Sequence, residues 1–574
     1  MCKPVLSGSS WHGARHLDIL VSHNLETFWP RSPDSANLQI RQSGRQINQS
    51  EFEVDQPQSI LTAILLTPLI GSVAIALMPP EWARKLAIAF SAAMVGLSAF
   101  ATQSFKPGTA GYQFEQIVTW ITTPFPVQYH VGVDGLSLCL VVLTAFVTLM
   151  AVLASESIGD NRPKLFYSFV MLLTLSILGV FVSLDLLQFF VMYELELVPM
   201  YFLIAIWGGP RRDYAAMKFL LYTFFGGVLM LGGLLYLYFA LTIDNPGLAT
   251  FDMVRLAQAA PLLPKSAQLI AFLGFFLAFI IKLPSFPFHT WLPDAHVEAP
   301  TPISMILAGL LLKMGSYGLV RICMDFFPTV FIDYGHWIMV LGAFNIVWAA
   351  MACLVQTDMK RIIAFSSVSH MGFVLLGLGS LSAAAVNGAI FQMISHGVIS
   401  AVLFFLVGCI YERTHTRDIH EIGGGLAKEM PYVFYMWMFA VMANLGLPGL
   451  SGFVAEAAVF YGAYTSPMAL ATAPHHALVQ TSIVIACTGV ILTAGYMLWL
   501  FKRLFFGPLM AKWQGHLSDA RPTEKFVGWA LSLSILILGI YPLLLINQYG
   551  SVADAVTRGV VSKMSISQRP DTQL

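Results

Sequence analysis

From Ile60 onward the chain alternates between long apolar runs and short polar connections. Fourteen runs are legible, at 59–78, 86–104, 134–155, 165–182, 184–206, 214–242, 267–287, 302–322, 336–355, 361–380, 384–410, 431–468, 479–503 and 527–547. Each is at least as long as a helix must be to cross a bilayer core, for which roughly 17–25 residues suffice. Two of them are interrupted. The seventh carries Pro284 and Pro287, and the twelfth carries Gly446-Leu447-Pro448-Gly449-Leu450-Ser451-Gly452. Proline and glycine free backbone polar groups, which a membrane interior tolerates only where protein or water satisfies them. The breaks are five runs apart, so runs four to eight (161–325) and nine to thirteen (334–505) read as two copies of one five-helix unit. An odd number of helices per copy makes the copies inverted, with the break in the fourth helix of each. Interrupted helices at matching places in two halves point to a transport site. The expected fold is therefore an all-α polytopic membrane protein of about fourteen spans. Helices 1–3 (58–160) precede the two inverted repeats, and a loop, a last helix and a tail (506–574) follow them.

Residues 1–57 break the pattern. They are polar, rich in Ser, Gln, Asn and Arg, and read as a disordered leader or, alternatively, as a docking extension. Composition agrees with the lipid assignment: 57% of residues are hydrophobic and 11% charged, whereas soluble proteins carry about 25% charged residues. Net charge is zero without a basic or acidic block, which gives no footing for nucleic acid. Cys2, Cys139, Cys323, Cys353, Cys409 and Cys487 are scattered, with no Cys-x-x-Cys pair to ligate iron–sulfur, zinc or haem.

The connections are unequal in charge. Those after odd-numbered runs hold sixteen Lys and Arg, and those after even-numbered runs hold four: Lys106, Arg255, Lys265 and Arg321. The positive-inside rule makes the odd connections cytoplasmic and puts both termini outside. On this division the cations left within spans are all lysines: Lys218, Lys282 and Lys313. Burial can pull a lysine toward neutrality but leaves arginine charged, so the selection favours protonation chemistry.

These lysines and a few other polar residues are the candidate chemistry. Glu194 lies near the middle of the fifth run, where a carboxylate costs roughly 2.5–3.5 kcal/mol and so needs a use or a partner. Lys218 in the next run is the candidate partner, and the pair reads either as a titrating site or as a permanent clamp between helices. Glu196, two residues on, points about 200° away and ranks lower; a neighbouring cavity or another subunit would be its surroundings. Lys282 stands at the first break, with snorkelling to an interface as the alternative. Lys313 is deep in a helix opened by Thr301-Pro302, read as N-cap and first helical residue. Glu456 follows the second break and is read as the counterpart of Lys282. His370 and His396, in adjacent runs amid small polar residues, suit a relay near neutral pH or ordinary core roles. His289 and His296, with Asp294 and Glu298, read as a solvated turn in preference to a metal site.

Several stretches carry a resemblance: Glu194-Leu195-Glu196-Leu197-Val198-Pro199-Met200-Tyr201, Lys282-Leu283-Pro284, His289-Thr290-Trp291-Leu292-Pro293-Asp294-Ala295-His296, Leu312-Lys313-Met314-Gly315, Ser367-Val368-Ser369-His370-Met371-Gly372-Phe373 and Gly452-Phe453-Val454-Ala455-Glu456. Together they resemble the antiporter-like M subunits (chain 4 type) of proton-pumping NADH–quinone oxidoreductase, respiratory complex I, and of its photosynthetic relatives. Tyr193 departs from the tryptophan common before that glutamate, while Glu456 favours the M type over the L type, which commonly has lysine there. The resemblance implies a proton-translocating subunit that couples quinone reduction elsewhere to pumping. It implies a pair formed by Glu194 and Lys218, a central axis of Lys282, Lys313, His370 and His396, and an outlet at Glu456. It also implies no cofactor in this chain. The electron donor NAD(P)H, flavin, iron–sulfur clusters and quinone would belong to partner subunits. The expected partners are L-type, N-type and small membrane subunits, in a bacterial plasma membrane or a thylakoid membrane. Subunits of multi-subunit cation/proton antiporters resemble the same stretches and are the alternative, separable by copurifying neighbours and by dependence on sodium or quinone. A purely structural scaffold would leave pumping intact after loss of Lys313.

Overall fold

The computed structural model describes residues 59–567, apart from 110, 124, 159–160, 244–248 and 471–474, and without the side chains of 564–567. The expected leader, 1–57, lies outside the described residues. Among the described residues thirteen helical segments are long and apolar enough to cross a membrane: Ile60–Leu77, Pro80–Ser104, Gly135–Leu153, Pro163–Val182, Leu186–Trp207, Arg212–Thr242, Lys265–Lys282, Thr301–Met324, Pro328–Leu354, Met359–Gly379, Ala383–Thr414, His476–Phe505 and Pro522–Ile540. Two half-length helices, Pro431–Asn444 and Ser451–Tyr464, make the twelfth span in two pieces. We number these spans 1 to 14 in chain order. The fold is all-α and polytopic. It has one addition that the apolar pattern hides, an antiparallel hairpin of Gln113–Ile121 and Val127–Val133 between spans 2 and 3. The tail after span 14 is a long helix, Leu543–Ser567.

Burial sorts the spans. The apolar centres of spans 8 and 11 are wholly buried in protein, and that of span 10 nearly so, while less than half of the corresponding stretch is buried in spans 1, 2, 13 and 14. A helix apolar all round and surrounded by others can carry polar groups only if they meet one another, and the candidate residues concentrate there. Glycines permit the close approach. A Cβ on Gly315 of span 8 would fall 2.7 Å from the Phe279 carbonyl and 3.1 Å from Lys282 Cβ, so span 8 lies directly on the break of span 7.

Both breaks are present, and the surrounding protein satisfies the freed backbone. In span 7, Lys265–Lys282 ends at the prolines and an eight-residue helix, Trp291–Glu298, follows. Asn345 of span 9 takes the Phe286 amide at 2.9 Å and donates to Ser285 Oγ at 2.8 Å, while the Trp291 indole donates to the Ile281 carbonyl at 2.9 Å. In span 12 the turn needs left-handed backbone at Gly446 and Gly449 (φ +70° and +93°), which glycine adopts without strain.

Candidate functional site

Span 5 is also interrupted. Its helix stops at Leu195 and restarts at Leu197, because Pro199 has no N–H to bond the Leu195 carbonyl. Glu196 sits in that gap. The residue ranked lower in the sequence is fully enclosed, and its carboxylate contacts the Lys282 ammonium. The Tyr193 ring covers the same ammonium, with Nζ 4.9 Å from its centroid.

The expected pairing of Glu194 with Lys218 is not formed. The Glu194 carboxylate lies against Gly227, where an added Cβ would be 2.1 Å from its oxygen. Lys218 is nine residues earlier on the same helix, about 13 Å away along the axis and beyond the side chain's reach. Lys218 instead donates to Asp294 at 2.7 Å, and Arg361 of span 10 reaches the other oxygen of Asp294 at 3.0 Å. Asp294 thus ties span 6, the second half of span 7 and span 10 together. The segment read as a solvated turn is this buried helix, with His289, Asp294, His296 and Glu298 all enclosed. Asp294→Asn is expected to cost about 1.5–3 kcal/mol, the usual worth of charge-assisted hydrogen bonds. A lower unfolding temperature of the detergent-solubilised protein would register it, and an unchanged one would refute it.

The second group forms one line. Span 8 contains two π-helical stretches, Leu307–Leu311 and Leu319–Met324, which loosen the usual carbonyl pairing around Lys313. Lys313 Nζ donates to the Ala308 carbonyl at 2.5 Å and lies 2.8 Å from His396 Nδ1. The His396 and His370 ring centres are 5.6 Å apart, and His370 Nδ1 is 3.5 Å from Glu456 Oε1. Gln392 reaches His370 at 3.2 Å. Lys313, His396, His370 and Glu456 are therefore in sequence across spans 8, 11, 10 and 12, each side chain buried. The helix start differs by one residue from expectation: Pro300 is the cap and Thr301 packs on Gly408.

Two further expectations are corrected. Glu456 lies in the second half of span 12, whereas Lys282 ends the first half of span 7. The residue placed like Lys282 is Asn444, buried at the end of Pro431–Asn444 beside His370. The enclosed cations are also not all lysines beyond the loops. Arg321, read as a connection residue, is 4% exposed within span 8 and contacts Asp134 at the start of span 3. Lys360 is likewise enclosed, its ammonium held by the Ala299 carbonyl.

A cavity of about 580 Å³ opens at the end where the odd connections gather, lined by Glu298, Thr301, Lys360, Arg413 and Arg417 among others. His296, on the helix that ends at the cavity-lining Glu298, is stacked on Phe404 with ring centres 4.3 Å apart and has both ring nitrogens buried without a hydrogen-bond partner. Orphaned buried nitrogens of this kind imply a bridging water or a transferable proton. Glu196, Asp294, Arg321 and His296 are what sequence reasoning underrated. Pro199, three residues after Glu196, was the available signal for the first.

Among the described residues no group of three or more His, Cys, Asp or Glu is placed to hold a metal. The arrangement is suited to moving protons between fixed ionisable side chains.

A family described as NADH:quinone oxidoreductase/Mrp antiporter, transmembrane, matches residues 183–483. A second, NADH-ubiquinone oxidoreductase chain 4, amino terminus, matches residues 61–182. A NAD(P)H-quinone oxidoreductase chain 4 of Synechococcus sp. is 42% identical over 517 residues, covering 89% of this chain and 95% of that one. Its counterpart from Gloeobacter violaceus is 41% identical over 520 residues, covering 90% and 95%. In structure, a chain of respiratory complex I from Thermus thermophilus with bound NADH superposes with TM-score 0.77 at 26% identity, over 87% of this chain and 99% of that one. A chain of the Mrp complex from Dietzia sp. gives TM-score 0.74 at 20% identity over 88% and 99%, a likeness of fold alone.

Proposed function

Because this chain belongs to the chain 4, M-type, family of NAD(P)H-quinone oxidoreductases and their antiporter relatives, we propose that its buried ionisable row is the path along which protons cross. The protein is a proton-translocating membrane subunit of such an oxidoreductase complex, with other membrane subunits as partners. L-type, N-type and small membrane subunits are the partners we assign. NAD(P)H or another donor, flavin, iron–sulfur clusters and quinone belong to the rest of the assembly.

The single observation that carries the path is the unbroken order Lys313, His396, His370, Glu456. Glu194, Glu196 and Lys282 form the first station, and Lys218, held by Asp294, stands on its approach from the basic end. Spans 4–8 and 9–13 are the two inverted units, each with a break beside a station. Protons enter at the basic end, where the 580 Å³ cavity meets Glu298 and Lys360, and leave past Glu456. The basic end is the cytoplasmic one. Removing the enclosed Lys360 and Arg321 takes one cation from each side of the tally and leaves the bias standing. The membrane is a bacterial plasma membrane or a thylakoid membrane.

Electrostatics links the stations. Two unit charges 4 Å apart interact by about 4 kcal/mol at an effective dielectric of 20. Opening the Lys282–Glu196 contact therefore changes the cost of charge on Lys313, whose proton passes to His396 or returns to its own amine. His370 accepts next, and Glu456 receives the proton before release. Quinone reduction in partner subunits supplies the perturbation.

The test is the subunit content of the detergent-purified complex together with Glu456→Gln. Quinone-reducing partners and a lowered proton-per-electron ratio in the variant are expected. Copurification with cation-antiporter subunits alone, and exchange that follows sodium, would establish the antiporter reading instead.

A further inference from the structure

At the opposite end from the intake cavity lies a second cluster of ionisable side chains, apart from the row above. Along span 8, Lys313, Tyr317, Arg321 and Asp325 stand four residues apart and lead from the interior of the span, through the π-helical stretch Leu319–Met324, to its far end. The Tyr317 hydroxyl donates to the Phe181 carbonyl at 3.2 Å. The Arg321 guanidinium lies over the Tyr317 ring at 5.3 Å and over the Tyr112 ring at 5.6 Å. Asp134, which also caps span 3 by accepting the Ser137 amide at 3.0 Å, contacts Arg321. An isolated buried arginine in a pore repels protons; here its charge is matched by Asp134.

The Arg321 and Asp325 end of the span lines a cavity of about 510 Å³. Tyr112 from the segment leading into the hairpin, Asp134 from span 3, Arg321 and Asp325 from span 8, and Arg558 and Lys563 from the C-terminal helix all line it. That helix is seated closely: a Cβ on Gly135 would be 1.7 Å from the Gln548 carbonyl. Asp325, one residue past span 8, is half-buried and faces Arg321 and Asp134. Burial pushes its carboxyl up to about 7, Arg321 pulls against the rise and Asp134 adds to it.

We propose that Asp325 is a proton-release residue, and that Tyr317, Arg321 and Asp325 give the first half of the protein its own outlet into this cavity, in addition to the one past Glu456. This rests on the proton-translocating reading above. A proton arriving from the Lys313 side is accepted by the Tyr317 oxygen as that hydroxyl gives up its own, so the tyrosine ends neutral. The Asp325 carboxylate takes the released proton and passes it to water in the cavity. Arg321 keeps its charge throughout and acts as a positioning residue, holding the Tyr317 ring and drawing Asp325 toward its ionised form. Tyr112, Arg558 and Lys563 set the field around the carboxylate from the facing elements.

The experiment uses the whole complex in its own membrane vesicles, measuring quinone reduction and protons released per electron across pH 6 to 8. Asp325→Asn is expected to retain assembly and quinone reduction while the ratio falls by roughly half. Asp325→Glu is expected to restore the ratio with a displaced pH profile. Should the asparagine variant not assemble, Tyr317→Phe, which keeps the ring against Phe181, is expected to give the same fall. A normal ratio in an assembled Asp325→Asn or Tyr317→Phe complex overturns the outlet. If Lys313→Ala abolishes pumping while those variants pump normally, only the outlet fails. If Lys313→Ala also pumps normally, the translocation path itself fails.

Discussion

Replacing Lys313 by alanine is expected to abolish proton translocation by this subunit while the complex assembles and continues to reduce quinone at a slower rate. The side chain sits 2.8 Å from His396 and donates to the Ala308 carbonyl, which makes it the carrier on the span 8 side of the proposed path. Removing it severs the line to Glu456, because His396 then has no ionisable neighbour on the span 8 side. Assembly survives because alanine introduces no unpaired charge and spans 8 and 11 stay packed through Gly309 and Gly397. Proton release per electron in reconstituted vesicles is the measurement. A ratio equal to that of the unaltered complex would sink the proposed path and leave a structural scaffold.

The second large effect concerns Lys282 and Glu196. Removing one partner of a buried ion pair typically costs about 3–5 kcal/mol, since the other charge stays behind uncompensated. Lys282→Met alone is therefore expected to lower stability by about that amount and to stop pumping. Adding Glu196→Gln is expected to recover most of the stability but none of the pumping. That separation of two readouts distinguishes a working pair from a clamp. Recovery of pumping in the double variant would mean that the pair only holds helices together. No recovery of stability would mean that Lys282 answers chiefly to Glu194.

Much of this was legible in the sequence, for identifiable reasons. Span positions follow from hydropathy because lipid admits only helices with their backbone satisfied internally. Both broken spans followed from proline and glycine, and Lys313, His370, His396 and Glu456 from the rarity of ionisable residues at depth. Partner choice was not legible. Glu194 and Lys218 were matched because their spans are consecutive, yet nine residues of helix separate Lys218 from the level of Glu194. Glu196 was set aside on the geometry of an unbroken helix, and Pro199 breaks it. Arg321 read as a connection residue because charge was taken as a sign of the surface, whereas Asp134, distant in sequence, neutralises it inside. The hairpin at Gln113–Ile121 and Val127–Val133 and most of the helix Leu543–Ser567 lie outside the apolar runs, where hydropathy alone has little to say.

Asn345 has a consequence for how this polypeptide can be divided. It belongs to span 9, yet it closes the backbone gap at Ser285 and Phe286 in span 7. Two separately expressed fragments, cut near Phe327, would therefore each be unfinished: the amino-terminal one would hold an unquenched amide in lipid until the carboxy-terminal one arrived.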